Sequence, residues 1–179
     1  MRHLGTLTQP DIGDLNRYTQ FTRLAARAIA VKDREVLLVH TKRYDDYSLP
    51  GGGLDTNEDI LTGLVRELNE ETGAQNICNF TPFGVIEEYR NWYKPDFDLV
   101  HMVSKIFRCD VDRDLGLTSY EDYEVKNGMT ALWIDIDRAI NHNLKTLQNF
   151  EKKGVSIERE IFLLKLIKTE IIAPQAKPD

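Results

Sequence analysis

Cysteine is nearly absent: Cys78 and Cys109 are the two thiols in 179 residues. They have neither the number for a disulfide framework nor the spacing of a metal site, so both are expected to be reduced and semi-buried. Long apolar runs are missing too. None approaches the ~20 residues that cross a bilayer, and the opening stretch MRHLGTLTQPDIGDL lacks the apolar core of a secretory signal. A cytoplasmic protein with no membrane attachment is the expectation. The sequence also has no internal repeat, no low-complexity run and no basic tract. With a pI near 5.3 it lacks the electrostatic footprint of a nucleic-acid binder, so no nucleic-acid partner is expected. His40, His101 and His142 show no metal-ligand spacing and are read as structural.

What remains is ordinary globular composition, 41% apolar and 29% charged, enough for one well-buried domain. The negative charge, however, is concentrated. Between Tyr44 and Ile86, Arg66 is the sole cation against eight acids: Asp45, Asp46, Asp55, Glu58, Asp59, Glu67, Glu70 and Glu71. Elsewhere the chain is almost neutral, with 22 basic and 21 acidic residues.

The acids lie around an amphipathic helix predicted from about Asn57 to Thr72. Ile60, Leu61, Leu64, Val65 and Leu68 recur at helical spacing as one buried stripe, Asn57 is the expected N-cap, and Gly73 stands at the C′ position. Glu67, Glu70 and Glu71 share an arc beside that stripe, with Gly63 leaving the arc open. Helix stability does not ask for this. Like charges at i,i+4 cost about 0.2–0.5 kcal/mol per pair, and carboxylates in the last turn oppose the helix dipole. A face of hard oxygen donors with too little counter-charge suits a divalent cation such as Mg²⁺ or Mn²⁺; a solvated acidic face is the other reading of the same composition.

The spacing separates these readings. Gly52, five residues, Glu58, seven residues, Arg66-Glu67-Leu68, one residue, Glu70-Glu71, one residue and Gly73-Ala74 resemble the Nudix box at every defined position. The lead-in Leu49-Pro50-Gly51-Gly52 is similar to the family's approach to that box. The resemblance implies an αβα sandwich with a mixed β-sheet, and hydrolysis of a nucleoside diphosphate linked to another group, with Mg²⁺ or Mn²⁺ as cofactor. It implies metal binding by Glu67, Glu70, Glu71 and the Gly52 carbonyl, with Arg66 orienting the carboxylates and Glu58 behind them. Asp55 stands where many members carry glutamate. The general base is implied to be Glu71 or a later-loop glutamate, Glu121 or Glu124.

Outside the box, the order of elements carries the fold. Leu24 to Val31 and Glu35 to His40 flank the polar turn Lys32-Asp33-Arg34; Phe83 to Tyr89, His101 to Cys109 and Ala131 to Ile136 are further strand-like runs. Asp137 is the expected cap of a following helix, and Ile157, Ile161, Leu164, Ile167 and Ile171 keep helical spacing over Ser156 to Ile172. Strands interleaved with helices make this an α/β domain over residues 21–172. Residues 1–20 are expected as a short helix, or as an arm on the body or on the partner subunit of a homodimer, and 173–179 as a flexible tail. The expected ligand is a small-molecule nucleotide. Arg43, Arg90 and Trp92 are the candidate substrate contacts, rings to stack on a base and cations for phosphate. A domain that senses nucleotides without catalysis, and an RNA 5′-end pyrophosphohydrolase, are the alternative functions.

Overall fold

The structure, a computed structural model, describes residues 1–148, 151 and 153–175. Eight strands form two sheets. In the first, β1 (His3–Thr8) runs parallel to β6 (Cys78–Asn91), β6 is antiparallel to β7 (Leu99–Asp110), and β7 is parallel to β2 (Gln20–Ile29). In the second, β4 (Glu35–Thr41) pairs antiparallel with β3 (Val31–Lys32), β5 (Asp46–Ser48) and β8 (Met129–Asp135). Helix α1 (Ile60–Thr72) lies on one side. On the other lie α3 (Ile136–Leu147) and α4 (Ile157–Ile167), while the short α2 (Asp122–Asn127) precedes β8. This is the mixed-sheet α/β architecture expected from the element order.

Strand periodicity explains how the layers meet. On β2, Ala26 and Ala28, with Ala30 just beyond, join Leu64 and Leu68 of α1 in one core, and their small side chains let the helix approach closely. Ile29 points the other way and packs with Leu163, Leu164 and Ile167 of α4. In β4, Val36 and Leu38 enter the α4 core while Leu37 enters the α1 core, so this strand is buried on both faces. That accounts for its continuous apolar run where an exposed sheet would alternate.

Several local expectations are corrected. Helix α1 is capped by Asp59, whose side chain accepts from the Leu61 and Thr62 amides; Asn57 sits in a left-handed turn before it. Gly73 does close the helix in the left-handed conformation. Leu61, placed in the buried stripe by spacing, is 36% exposed. Asp135 rather than Asp137 caps α3, and Asp137 instead pairs with Arg34 and Lys168. Cys78 is exposed and Cys109 buried, both free, so neither is semi-buried.

Within residues 1–20, β1 lies in the first sheet and sends Leu4 and Leu7 to the core. Over 173–179, Ala173–Gln175 forms a last helical turn, α5, and the rest lies outside the described residues. Among the described residues no helix is long and apolar enough to cross a membrane.

Candidate active site

Helix α1 gathers its acids around one cation. The Arg66 guanidinium forks onto Glu58, with Nε 3.0 Å from Oε1 and Nη2 3.1 Å from Oε2, while its Nη1 donates to Glu67 at 2.9 Å and Glu70 at 3.1 Å. One planar fork therefore fixes three carboxylates. Glu58 also accepts from the Asp55 amide, which ties the entry loop to the helix. Gly63 does not leave an open face. A Cβ there would strike Leu54 and the Glu58 carboxyl, so the glycine makes room for Glu58 to reach Arg66.

The glycine loop meets this face at contact distance. A Cβ on Gly52 would lie 2.4 Å from Glu67 Oε2, so any larger residue would push the Glu67 carboxylate out of its place. Gly51, at φ 122, donates its amide to Glu71 Oε2 at 2.7 Å. The Gly52 carbonyl accepts from the Ala26 amide at 3.0 Å, leaving it one further lone pair for a ligand. Beneath the loop is Arg27, which shares the α4 face of β2 with Ile29 and whose spacing gave no functional signal. Its Nη1 donates to the carbonyls of Leu49 and Gly51 at 3.1 and 2.7 Å, and its charge acts on Glu71 and Glu67 from below.

Burial dominates the electrostatics here. It pushes Glu71 up to about 8 against the Gly51 amide and Arg27, which favour the anion, and the nearby charges of Glu67 and Glu124 push the same way. Burial likewise raises Glu67 despite Arg66. Two crowded carboxyls are thus pushed towards their protonated forms, because the local cations do not suffice. Hard oxygen donors with a charge deficit and a cradle in which a Cβ would collide are a fit for a divalent cation held by Glu67, Glu70 and Glu71.

The later-loop candidates separate. Glu124 is buried, 4% exposed, and close enough for its charge to act on Glu71. Its Oε2 accepts from the Glu121 amide at 2.8 Å and its Oε1 from the Tyr123 hydroxyl at 3.0 Å. Glu121 is exposed, and its side chain accepts from the Glu124 amide at the start of α2.

The candidate substrate contacts do not converge. Arg43, on the turn after β4, donates to Asn127 and covers the Tyr44 ring. Trp92 lies at the β6–β7 hairpin, edge-on to Phe21 and donating to Asp96. Arg90 is half-buried, donates to Ser156 Oγ at 3.1 Å and lines a cleft of about 290 Å³ with Glu88, Tyr89 and Arg159. A neighbouring cleft of about 240 Å³ is lined by Arg27, Thr41, Asp46, Ser48, Arg159 and Glu160. The box glutamates line neither cleft; Arg27 is the link between the second cleft and the acidic face. Sequence reasoning missed Arg27, Glu88, Arg159 and Glu160, which meet only in the folded chain.

A pH signature follows from Glu71. In metal-free protein, between its ordinary value of 4.5 and about 8, the folded state holds a proton that the unfolded chain has released. Stability should therefore fall as pH rises through this window, at a limiting slope of about 1.4 kcal/mol per pH unit. Asp46, pushed to about 6 chiefly by burial, adds a fall that ends lower. Denaturant titrations in chelator at pH 6, 7 and 8 test this. Glu71→Gln should flatten the upper part of the profile, and a parent equally stable at pH 6 and 8 would refute the assignment.

Comparison with known proteins agrees with this geometry. Residues 21–156 match the NUDIX domain. The chain is 35% identical over 72 residues to an RNA pyrophosphohydrolase of Ruthia magnifica, covering 40% of this chain and 38% of that protein. It is 39% identical over 66 residues to another RNA pyrophosphohydrolase, of Bartonella henselae, covering 36% and 35%. To an 8-oxo-(d)GTP phosphatase of Mycolicibacterium smegmatis it is 51% identical over 39 residues, covering 22% and 12%. The matches thus span between 12% and 38% of these relatives' lengths. A crystal structure of a MutT NUDIX hydrolase from Burkholderia pseudomallei aligns with TM-score 0.48 and 21% identity over 65% of this chain and 85% of that one. With the NUDIX match running through three quarters of the chain and the box complete from Gly52 to Ala74, the protein belongs to the NUDIX family.

Proposed function

We propose that the chain is a Mg²⁺- or Mn²⁺-dependent pyrophosphohydrolase acting on a nucleoside diphosphate linked to another group: a nucleotide sugar, a dinucleotide or a nucleoside triphosphate. The observation that carries this reading is the crowding of Glu67 and Glu71 against the glycine loop, where burial raises both carboxyls, Glu71 to about 8, beside too few cations. A diphosphate resists hydrolysis because its charge repels the attacking water, and a divalent ion supplies Lewis acidity, an activated water and a template. In this reading Glu67, Glu70 and Glu71 hold the ion, and Arg66 keeps Glu67 and Glu70 in register. Glu71 accepts the proton of the attacking water, and the Gly51-Gly52-Gly53 backbone admits a phosphate closely.

The names of the first two relatives favour a second reading, cleavage at an RNA 5′ end. Against it stand a pI near 5.3 and a site region with one cation among eight acids, which would repel a polynucleotide. A sensing domain without catalysis is opposed by the complete set of box glutamates.

A phosphate-release screen over nucleotide sugars, dinucleoside polyphosphates, nucleoside triphosphates and a 5′-triphosphorylated RNA tests both readings. Activity should vanish in chelator and return with Mg²⁺ or Mn²⁺. Full activity after stripping bound metal would sink the mechanism, and release from the RNA alone would favour the second reading.

A further inference from the structure

We propose a second metal site, for Zn²⁺ or a similar imidazole-seeking ion, formed by His40, Asp45 and His142. It is separate from the acidic face of α1 and lies where the turn between β4 and β5 meets α3. The three ligands come from positions 40, 45 and 142, so their spacing is invisible in the sequence and only the packing of α3 assembles them.

The geometry is that of a coordination set. Asp45 Oδ1 lies 3.4 Å from His40 Nε2 and 3.2 Å from His142 Nε2. Both distances are longer than the ~2.7–2.9 Å of a charge-assisted hydrogen bond. They equal the ~3.3 Å edge of a tetrahedron whose arms are the ~2.0–2.1 Å of zinc–nitrogen and zinc–carboxylate bonds. The candidate ligand atoms all lie within 4.8 Å of one another.

The surroundings orient the rings. Tyr47 packs on both imidazoles with centroids 4.9 Å from each, and the two imidazoles meet edge to face at 5.9 Å. His142 Nε2 is 2.8 Å from the Asp45 carbonyl, which can only accept, so that nitrogen carries a proton here and would bind a metal as the other tautomer, with the ring proton on Nδ1. The carbonyl would not be orphaned, because Thr146 Oγ1 also donates to it at 2.7 Å. Asp45 itself adopts a left-handed φ of 52°, which turns its carboxylate back between the histidines. The side chains are 26%, 49% and 33% exposed in the order His40, Asp45, His142, leaving an entry path and a fourth position for water.

Two imidazoles and one carboxylate in a tetrahedron select Zn²⁺ and Co²⁺ over Mg²⁺, whose preference for six oxygens suits the box carboxylates instead. The test uses the intact protein in excess Mg²⁺, which saturates oxygen-rich sites. Titration with Zn²⁺ should show one equivalent bound per chain, and Co²⁺ should give the intense visible bands of tetrahedral coordination. His40→Gln and His142→Gln should each weaken Zn²⁺ at least ten-fold and abolish those bands. Mg²⁺-dependent phosphate release should stay within two-fold of the parent. Having two variants guards against loss of fold in one, checked by a melt in metal-free buffer. Zn²⁺ affinity unchanged in both folded variants, or only the weak bands of six-coordinate Co²⁺, would overturn the proposal.

Discussion

Glu71→Gln is expected to lower kcat by about 10²–10⁴, the usual worth of a general base, while Glu121→Gln stays within a few-fold of the parent. The structure gives three reasons for choosing between these residues. The Gly51 amide anchors one Glu71 oxygen, Oε2, and the charge of Glu67 acts on the Glu71 carboxyl, so it stands among the acids that would hold the ion. Glu124 is as deeply buried, yet both its oxygens already accept hydrogen bonds, from the Glu121 amide and the Tyr123 hydroxyl, which tie it to the start of α2. Glu121 is exposed and outside the cluster. Glu124→Gln is the discriminating variant. If Glu71 is the base, it should alter kcat modestly by changing the charge beside Glu71; if the loop supplies the base, it should show the large loss with metal affinity nearly intact. Measuring kcat and Mg²⁺ affinity together for all three variants decides the matter, and a large loss confined to Glu124→Gln would move the base onto the loop.

The parts legible in the sequence were those encoded over short distances. Helix α1, its left-handed Gly73 and the shared face of Glu67, Glu70 and Glu71 follow from a 3.6-residue period, and the strands around Ile29, Leu37, Ile86, Ile106 and Ile134 from apolar runs. Boundaries slipped where two residues compete for one role, as with Asn57 and Asp59 for the α1 cap or Asp135 and Asp137 for that of α3. What could not be read was pairing between distant segments. The Leu49 amide finds Glu160 Oε2 across 111 residues, and Arg159 finds Glu88 across 71. In the sequence these look like surface charges on a helix whose apolar stripe has already explained it. His40 and His142 were set aside for the same reason. No spacing rule sees two ligands brought together by packing.

Arg159→Leu is expected to be among the most destabilising single substitutions in the chain, although it touches none of the box residues. Arg159 is 2% exposed, with Glu88 at 3% and Glu160 at 1%. Its Nη1 donates to Glu88 at 2.6 Å and its Nε to Glu160 at 2.9 Å, with a further Nη2 contact to Glu160. An arginine between two carboxylates is no proof of net stability, since burying all three charges is itself costly. Removing only the cation, however, leaves two buried anions without their partner, which costs about 3–5 kcal/mol. For a domain of this size that lowers Tm by on the order of 10 °C. The damage should also reach the glycine loop, because Glu160 Oε2 accepts from the Leu49 amide at 2.9 Å, three residues before Gly52. Two controls identify the cause. The deficit should shrink in acid, below about pH 5, where the stranded carboxylates can protonate. Adding Glu88→Leu and Glu160→Gln to Arg159→Leu should recover most of the lost Tm, since an apolar replacement leaves no orphaned charge. Melts of the single and triple variants at pH 5 and 8 measure both, and an Arg159→Leu protein that melts within 2 °C of the parent at pH 8 would show that water or a neighbouring cation already compensates Glu88 and Glu160.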